Sequence, residues 1–226
     1  MKIKFNGTRT DNCIKNELMR VAMYYSNQDI RMEHVSQPSI ARDEALLQVQ
    51  ASGICGTDVM EWYRQDKVPL VLGHEVSGII METGEEVHHF KAGDRVVATH
   101  HVPCGECSYC LGGHETVCEL LRKTHFYPGG FSEFVRLPSV NLRIGTFLIP
   151  SGVSFEEATF VEPLGCTLRG QRLAKMQKAK QFLSSEAEWL DCCLSKQQNF
   201  IKPKGLSQPT LILTGSRRPK HLEPMR

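Results

Sequence analysis

Cys104, Cys107, Cys110 and Cys118 fall within one short stretch, with two, two and seven residues between them. Two-residue gaps let a chain loop around one ion and present successive sulfurs to it. Gly105, Gly112 and Gly113 stand among the cysteines and supply the tight turns this needs. Four thiolates satisfy tetrahedral zinc and leave no open position, so this lobe is expected to hold zinc for structure rather than catalysis. An iron–sulfur cluster is the rival metal reading, because thiolates suit both. Four unrelated free thiols would be the bland reading. His114 lies inside the lobe and is expected to face solvent or back a ligand rather than add a fifth one.

The chain has 226 residues, 41% of them hydrophobic and 23% charged, which is ordinary globular composition. That length holds one full domain and part of a second. The 27 basic and 25 acidic residues leave a net charge of +2. Nucleic acid and anionic membrane partners are therefore not expected, since both call for a larger basic excess. No apolar run approaches the ~18 residues of a membrane span. Residues 1–11 are polar and lack the apolar core of a secretory signal, which points to the cytosol. In that compartment an odd count of nine cysteines argues for metal binding over a disulfide framework.

Four segments differ in character. Residues 1–18 are polar and aperiodic and read as a non-native leader, with Met19 or Met23 as the expected biological start, or else as a disordered native terminus. Residues 19–150 read as short strands broken by Gly, Pro and Asp, at 19–25, 44–51, 68–84, 87–99, 131–137 and 140–149. Many short strands with such turns mean a barrel or a sandwich. Residues 151–176 read as helical, with Ser154 as the N-cap, Glu156 and Glu157 in the first turn, and Pro163 ending or restarting the helix. Residues 177–226 show no period of either kind.

A second candidate site is spread along the chain. Cys55 follows a strand within Gly53-Ile-Cys-Gly-Thr-Asp58, His74 and Glu75 follow Gly73, and Glu162 opens Glu162-Pro-Leu-Gly165. Cys, His and a carboxylate form the mixed set typical of catalytic zinc, in which a fourth position stays labile. Taken singly, a buried Cys is more often packing and a His-Glu pair more often surface. Taken in order with Lys91-Ala-Gly-Asp-Arg-Val96, the four-cysteine lobe and Gly129-Gly-Phe-Ser-Glu-Phe-Val135, these segments resemble the zinc-dependent medium-chain alcohol and polyol dehydrogenases over about residues 19–176. Glu162-Pro-Leu-Gly165 resembles the threonine and sorbitol dehydrogenase branch.

The resemblance implies a fold that is mainly β with some α, namely a GroES-like β-barrel catalytic domain with a zinc lobe, over residues 19–163. Residues 164–176 would form a helix leading to a Rossmann cofactor domain. It also implies roles. Cys55, His74 and a carboxylate, Glu75 or Glu162, would hold the catalytic zinc, while Cys104, Cys107, Cys110 and Cys118 hold the structural one. Thr57 would pass on the proton of the substrate hydroxyl. Asp58 would orient His74, as metal-bound imidazoles commonly require. Asp94 and Arg95 would hold a turn between strands. Zinc would polarise the hydroxyl of a small alcohol or polyol, and NAD or NADP would take the hydride.

The Rossmann domain itself is absent from the reading, because residues 177–226 contain no G-x-G-x-x-G and are too few. Back-translated with a one-base shift, residues 181–193 permit V-L-V-I-G-S-G-M-A-G-L-L, a buried strand followed by a dinucleotide-binding glycine turn. A frameshift between about Leu173 and Lys180 is therefore expected, with residues 177–226 an out-of-frame, disordered tail. A genuine short extension is the alternative. On the first reading the chain is an inactive, truncated dehydrogenase; other readings are an enzyme completed by a second chain, and a zinc-binding interaction module without hydride chemistry. Cys166 is expected to pack rather than ligate, and the pairs His88-His89 and His100-His101 to hold no metal. Cys13, Cys192 and Cys193 receive no role.

Overall fold

The computed structural model describes residues 18–173. Eight strands lie among them: β1 (Leu18–Ser26), β2 (Asp29–Ser36), β3 (Ala45–Gly53), β4 (Leu70–Val71), β5 (Glu75–Thr83), β6 (Arg95–Thr99), β7 (Phe134–Leu137) and β8 (Thr146–Leu148). Every pairing between these strands is antiparallel. One sheet has the order β2-β1-β4 and the other β7-β3-β5-β6-β8. The chain just before β7 stitches the two together. The Ala22 N–H donates to the Phe131 carbonyl at 2.8 Å, and the Glu133 N–H donates to the Arg20 carbonyl at 3.1 Å. The fold is mainly β with some α. The expectations for residues 1–17, and for the tail and frameshift beyond Leu173, lie outside the described residues.

The principal core gathers Ala45 and Leu47 of β3, Val76 and Ile80 of β5, Val96 and Ala98 of β6 and Val135 and Leu137 of β7, closed by Phe126 and Leu142. Alternate residues of a strand share one face, so each of these strands contributes a pair at spacing two or four. Each Val, Leu, Ile or Phe side chain among them adds about 1.5–3 kcal/mol when removed from water. β5 runs through the centre of the larger sheet and is buried on both faces from Glu75 to Gly78. Ser77, fully buried on it, donates its hydroxyl to the Phe155 carbonyl at 2.8 Å.

Residues 140–149, expected as a strand, divide instead into a helix, Ser139–Gly145, and β8. Asn141 decides the outcome. It is fully buried, and its side-chain amide donates to the carbonyls of Thr99 at 2.8 Å and His100 at 3.0 Å. That pair of bonds pins the end of β6, where the chain leaves for the cysteine lobe, and a helix is what aims the amide there. β2 had no place in the sequence reading. It lies at a sheet edge with Ile30 and Met32 exposed, so its pattern announces no core face.

Ser154 caps a short helix, Phe155–Thr159, through a reciprocal pair. Its hydroxyl accepts from the Glu157 N–H at 3.1 Å, and the Glu157 carboxylate accepts from the Ser154 N–H at 3.0 Å. The following helix, Val161–Leu173, restarts with Pro163 in its first turn, where no backbone N–H is needed. No described helix is long and apolar enough to cross a membrane. Leu47→Ala, which empties a fully buried position between β5 and β7, is expected to lower unfolding free energy by about 2–5 kcal/mol in a denaturant titration.

Candidate metal centres

The β3–β5 ladder ends on the pair Gly53↔Glu75. Beyond Gly53 the chain turns into a 3-10 helix, Gly56–Val59, whose N-cap is Cys55. The Cys55 N–H donates to Asp58 Oδ2 at 3.0 Å, and the Thr57 N–H donates to Cys55 Sγ at 3.5 Å. This reciprocal cap is why a Cys and an Asp three apart hold one compact turn. On the other strand, Gly73 immediately precedes His74 with φ +92°, a conformation glycine favours. The chain at Gly73 is clamped from outside: its carbonyl accepts from the Gly130 N–H at 2.9 Å, and that of Leu72 accepts from the Phe131 N–H at 2.8 Å.

Cys55, His74 and Glu75 thereby present one ligand atom each, all within 4.8 Å of one another. A Cβ on Gly53 would stand 2.0 Å from Glu75 Oε2, so the glycine leaves the space that the buried carboxylate occupies. The donor set, one thiolate, one imidazole and one carboxylate, is the mixed set zinc accepts with a position left open. Asp58, only 3% exposed, places Oδ1 3.5 Å from His74 Nδ1. That leaves Nε2 as the metal-facing nitrogen, with a carboxylate behind the ring.

The electrostatics match this arrangement. Burial opposes charge on His74, but Asp58 and Cys55 outweigh it and raise the ring to about 9. Burial likewise disfavours the Asp58 anion, yet the His74 ring, the Cys55 N–H and Arg64 together hold its carboxyl below the ordinary value. Glu75 is pushed up, first by burial and then by Glu162 and Asp58, against the pull of His74. In the metal-free protein His74 therefore carries the positive charge that a cation would replace.

Glu162 does not join the set. It lies in the first turn of the helix Val161–Leu173, where Cys166 Sγ approaches its Oε1 at 3.5 Å. Thr57 sits on the Cys55 turn, half-buried, with its carbonyl accepting from Arg64. Arg64 has no part in the sequence reading, and His100, named there only as one of a pair expected to hold no metal, is not tied there to His74. The His100 ring packs 5.8 Å from that of His74 and 3.9 Å from that of His101, and burial lowers it to about 3. No spacing motif marks either residue; each reaches the site only through the fold.

The lobe brings Cys104, Cys107, Cys110 and Cys118 together, with all four sulfurs within 4.8 Å of one another. A zinc–sulfur bond of about 2.3 Å places tetrahedral sulfurs about 3.8 Å apart. Cys104 and Cys110 stand 3.8 Å apart, and Cys107 and Cys110 3.5 Å apart. Backbone N–H groups of Glu106 and Cys107 point at Cys104 Sγ, at 3.4 and 3.2 Å, and that of Cys104 points at Cys118 Sγ at 3.4 Å. These donors lower both thiols, Cys118 to about 6, while burial and the neighbouring sulfurs push Cys110 up to about 12. A lobe prepared for some thiolates but short of charge for all four fits a dication. His114 is exposed. Among the described residues these are the two sets of three or more side chains that could hold a metal.

Residues 41–144 match the model of the alcohol dehydrogenase GroES-like domain. These residues have the GroES-like fold, and the chain is similar to zinc-dependent alcohol and polyol dehydrogenases. The chain is 32% identical to a sorbitol dehydrogenase of Bacillus subtilis, over 70% of this chain and 46% of that protein. It is 36% identical to an L-threonine 3-dehydrogenase of Aliivibrio salmonicida, over 60% and 40%. An Escherichia coli CFT073 alcohol dehydrogenase complexed with NADH superposes on this GroES-like domain with a TM-score of 0.59 at 28% identity, over 70% and 46%. The chain thus spans about half the length, or less, of the dehydrogenases it matches.

Two outcomes are expected for the mixed set. Gly53→Ala displaces Glu75 and weakens zinc binding there by at least about tenfold in a competition titration, with the lobe unaffected. Because a metal must replace the His74 proton, zinc affinity falls by about tenfold per pH unit below about 9 from this ring alone. The sign for folding is complementary: charge on His74 stabilises the metal-free fold fully below 6.5 and is lost as pH rises through about 9. A pH-independent zinc affinity in titrations below pH 9 would remove His74 from the ligand set.

Proposed function

We propose that this domain is the metal-holding, alcohol-binding part of an NAD(P)-dependent alcohol or polyol dehydrogenase. The convergence of Cys55, His74 and Glu75 beside a glycine that leaves room for the carboxylate carries the reading. The names of the relatives support it: sorbitol and threonine are both hydroxyl-bearing small molecules, and the NADH complex supports a nicotinamide hydride acceptor.

On this reading Cys55, His74 and Glu75 hold a catalytic zinc, and Cys104, Cys107, Cys110 and Cys118 a structural one. Zinc bound by the mixed set would supply Lewis acidity to a substrate hydroxyl. The chain's own residues do the rest. Asp58 fixes the orientation of the His74 ring and keeps its Nδ1 proton turned away from the metal side. Thr57, on the same turn as Cys55, receives the hydroxyl proton through its side chain and passes it on. Exposed Ile54, Val59 and Trp62 flank that turn and offer apolar surface against which a substrate excludes water. The described strands form antiparallel sheets rather than the parallel sheet of a dinucleotide-binding domain, which supports a reading in which the acceptor, NAD or NADP, is held chiefly by a separate cofactor domain. Thiols kept free to ligate metal support a reducing compartment such as the cytosol.

Metal analysis of the purified full chain tests this. Two zinc ions per chain are expected, falling to one in Cys55→Ala and in His74→Ala, with the lobe's zinc retained. One zinc per chain in the wild type, unchanged by Cys55→Ala, would leave a structural zinc module without a catalytic centre.

A further inference from the structure

Arg64 occupies the end of the helical turn Glu61–Arg64, yet its side chain is only 15% exposed. Arginines on short surface turns normally keep their heads in water. This one folds back under the Cys55 turn. Its Nη2 donates to the Thr57 carbonyl at 3.2 Å and lies 4.0 Å from Asp58 Oδ1, the same oxygen that faces His74 Nδ1 at 3.5 Å. The guanidinium also stands 5.1 Å from the Tyr63 ring centre. Its Nε is buried without a partner, which carries a cost. A side chain that accepts such a cost is held inward by what its tip touches, the carbonyl and the carboxylate.

We propose that Arg64 is a positioning residue for the mixed metal set, anchoring the Cys55–Asp58 turn and acting as the permanent countercharge of Asp58. The proposal rests on the reading of Cys55, His74 and Glu75 as a metal site. Asp58 is nearly sealed from water, and a buried carboxylate needs a cation. A metal-bound imidazole still offers Asp58 its Nδ1–H but carries no proton charge of its own, so the permanent charge beside the carboxylate must come from elsewhere. Arg64 supplies it, because its charge does not depend on the metal. Its planar fork also reaches the Thr57 carbonyl, tying the turn that carries Cys55 to the carboxylate that orients His74.

Cobalt(II) titration of the full chain tests the proposal, because the all-thiolate lobe and the mixed set give different visible bands. Arg64→Met keeps the length and removes the charge. It is expected to weaken cobalt at the mixed set by about 10–100-fold while the bands of the lobe stay as in the wild type, reporting an intact fold. Arg64→Lys restores the charge without the fork and is expected to recover part of the loss. Wild-type affinity at the mixed set in Arg64→Met overturns the proposal. Should Arg64→Met lose the lobe bands, Arg64→Gln, which keeps a donor for Thr57, is read by the same criteria. A wild-type chain that takes up only the lobe's cobalt, or a second cobalt whose thiolate band survives Cys55→Ala, overturns the metal-site reading itself.

Discussion

Glu75 sits at the end of a central strand with its carboxylate buried and its cross-strand neighbour reduced to a hydrogen. A carboxylate in that position is costly unless something positive arrives. The antiparallel register of β3 with β5 creates the problem and its remedy together. The same ladder end that buries Glu75 delivers Cys55 two residues past Gly53 and His74 one residue before Glu75. A slip of one residue would turn Glu75 to the other face and replace the pairing with Gly53. The larger core exists to hold this register: Leu47, Val76, Ile80 and Val135 lock β3 between β5 and β7.

The two candidate centres solve the shortage of charge differently. In the lobe the backbone itself supplies partial positive charge, through N–H groups aimed at Cys104 and Cys118. Thr124, buried, closes the base of that lobe: its hydroxyl accepts from the Val102 N–H at 3.0 Å, and its carbonyl pairs with His101 Nδ1 at 2.8 Å. In the mixed set the compensation comes from side chains, His74 and Arg64 around Asp58. Side chains can adjust when protons and ligands come and go, which a centre that handles a substrate proton requires and a structural one does not.

The legible part of the site was the part written in local spacing. The lobe could be read from its cysteine intervals because a loop around one ion constrains neighbours in sequence. Cys55 with Asp58 and His74 with Glu75 could be read because each pair lies on one turn or strand end. What was not legible depends on long-range placement. Arg64 reaches Asp58 only because a short helix doubles back, and His100 meets His74 only because β5 and β6 are neighbours in the sheet. The helix at Ser139–Gly145 reads as a strand from sequence because its apolar residues serve packing while Asn141, a polar residue, fixes its position. A buried amide whose partners are two distant carbonyls leaves no trace in periodicity.

Glu75 and Glu162 compete for one role, and the fold weighs them unequally. Glu75 belongs to a strand hydrogen-bonded on both sides. Glu162 belongs to a helix tied to the lobe by half-exposed contacts, Arg169 with Glu115 and Thr116, each at 3.3 Å. Such ion pairs add little holding energy. A ligand on the strand is therefore preorganised, whereas one on the helix moves with it. Yet Glu162 is close enough to raise the Glu75 carboxyl. Two acids that repel one another across a site with a single nearby imidazolium are eased together by one dication. The strand fixes which carboxylate meets that dication first, and the helix decides whether the second one follows.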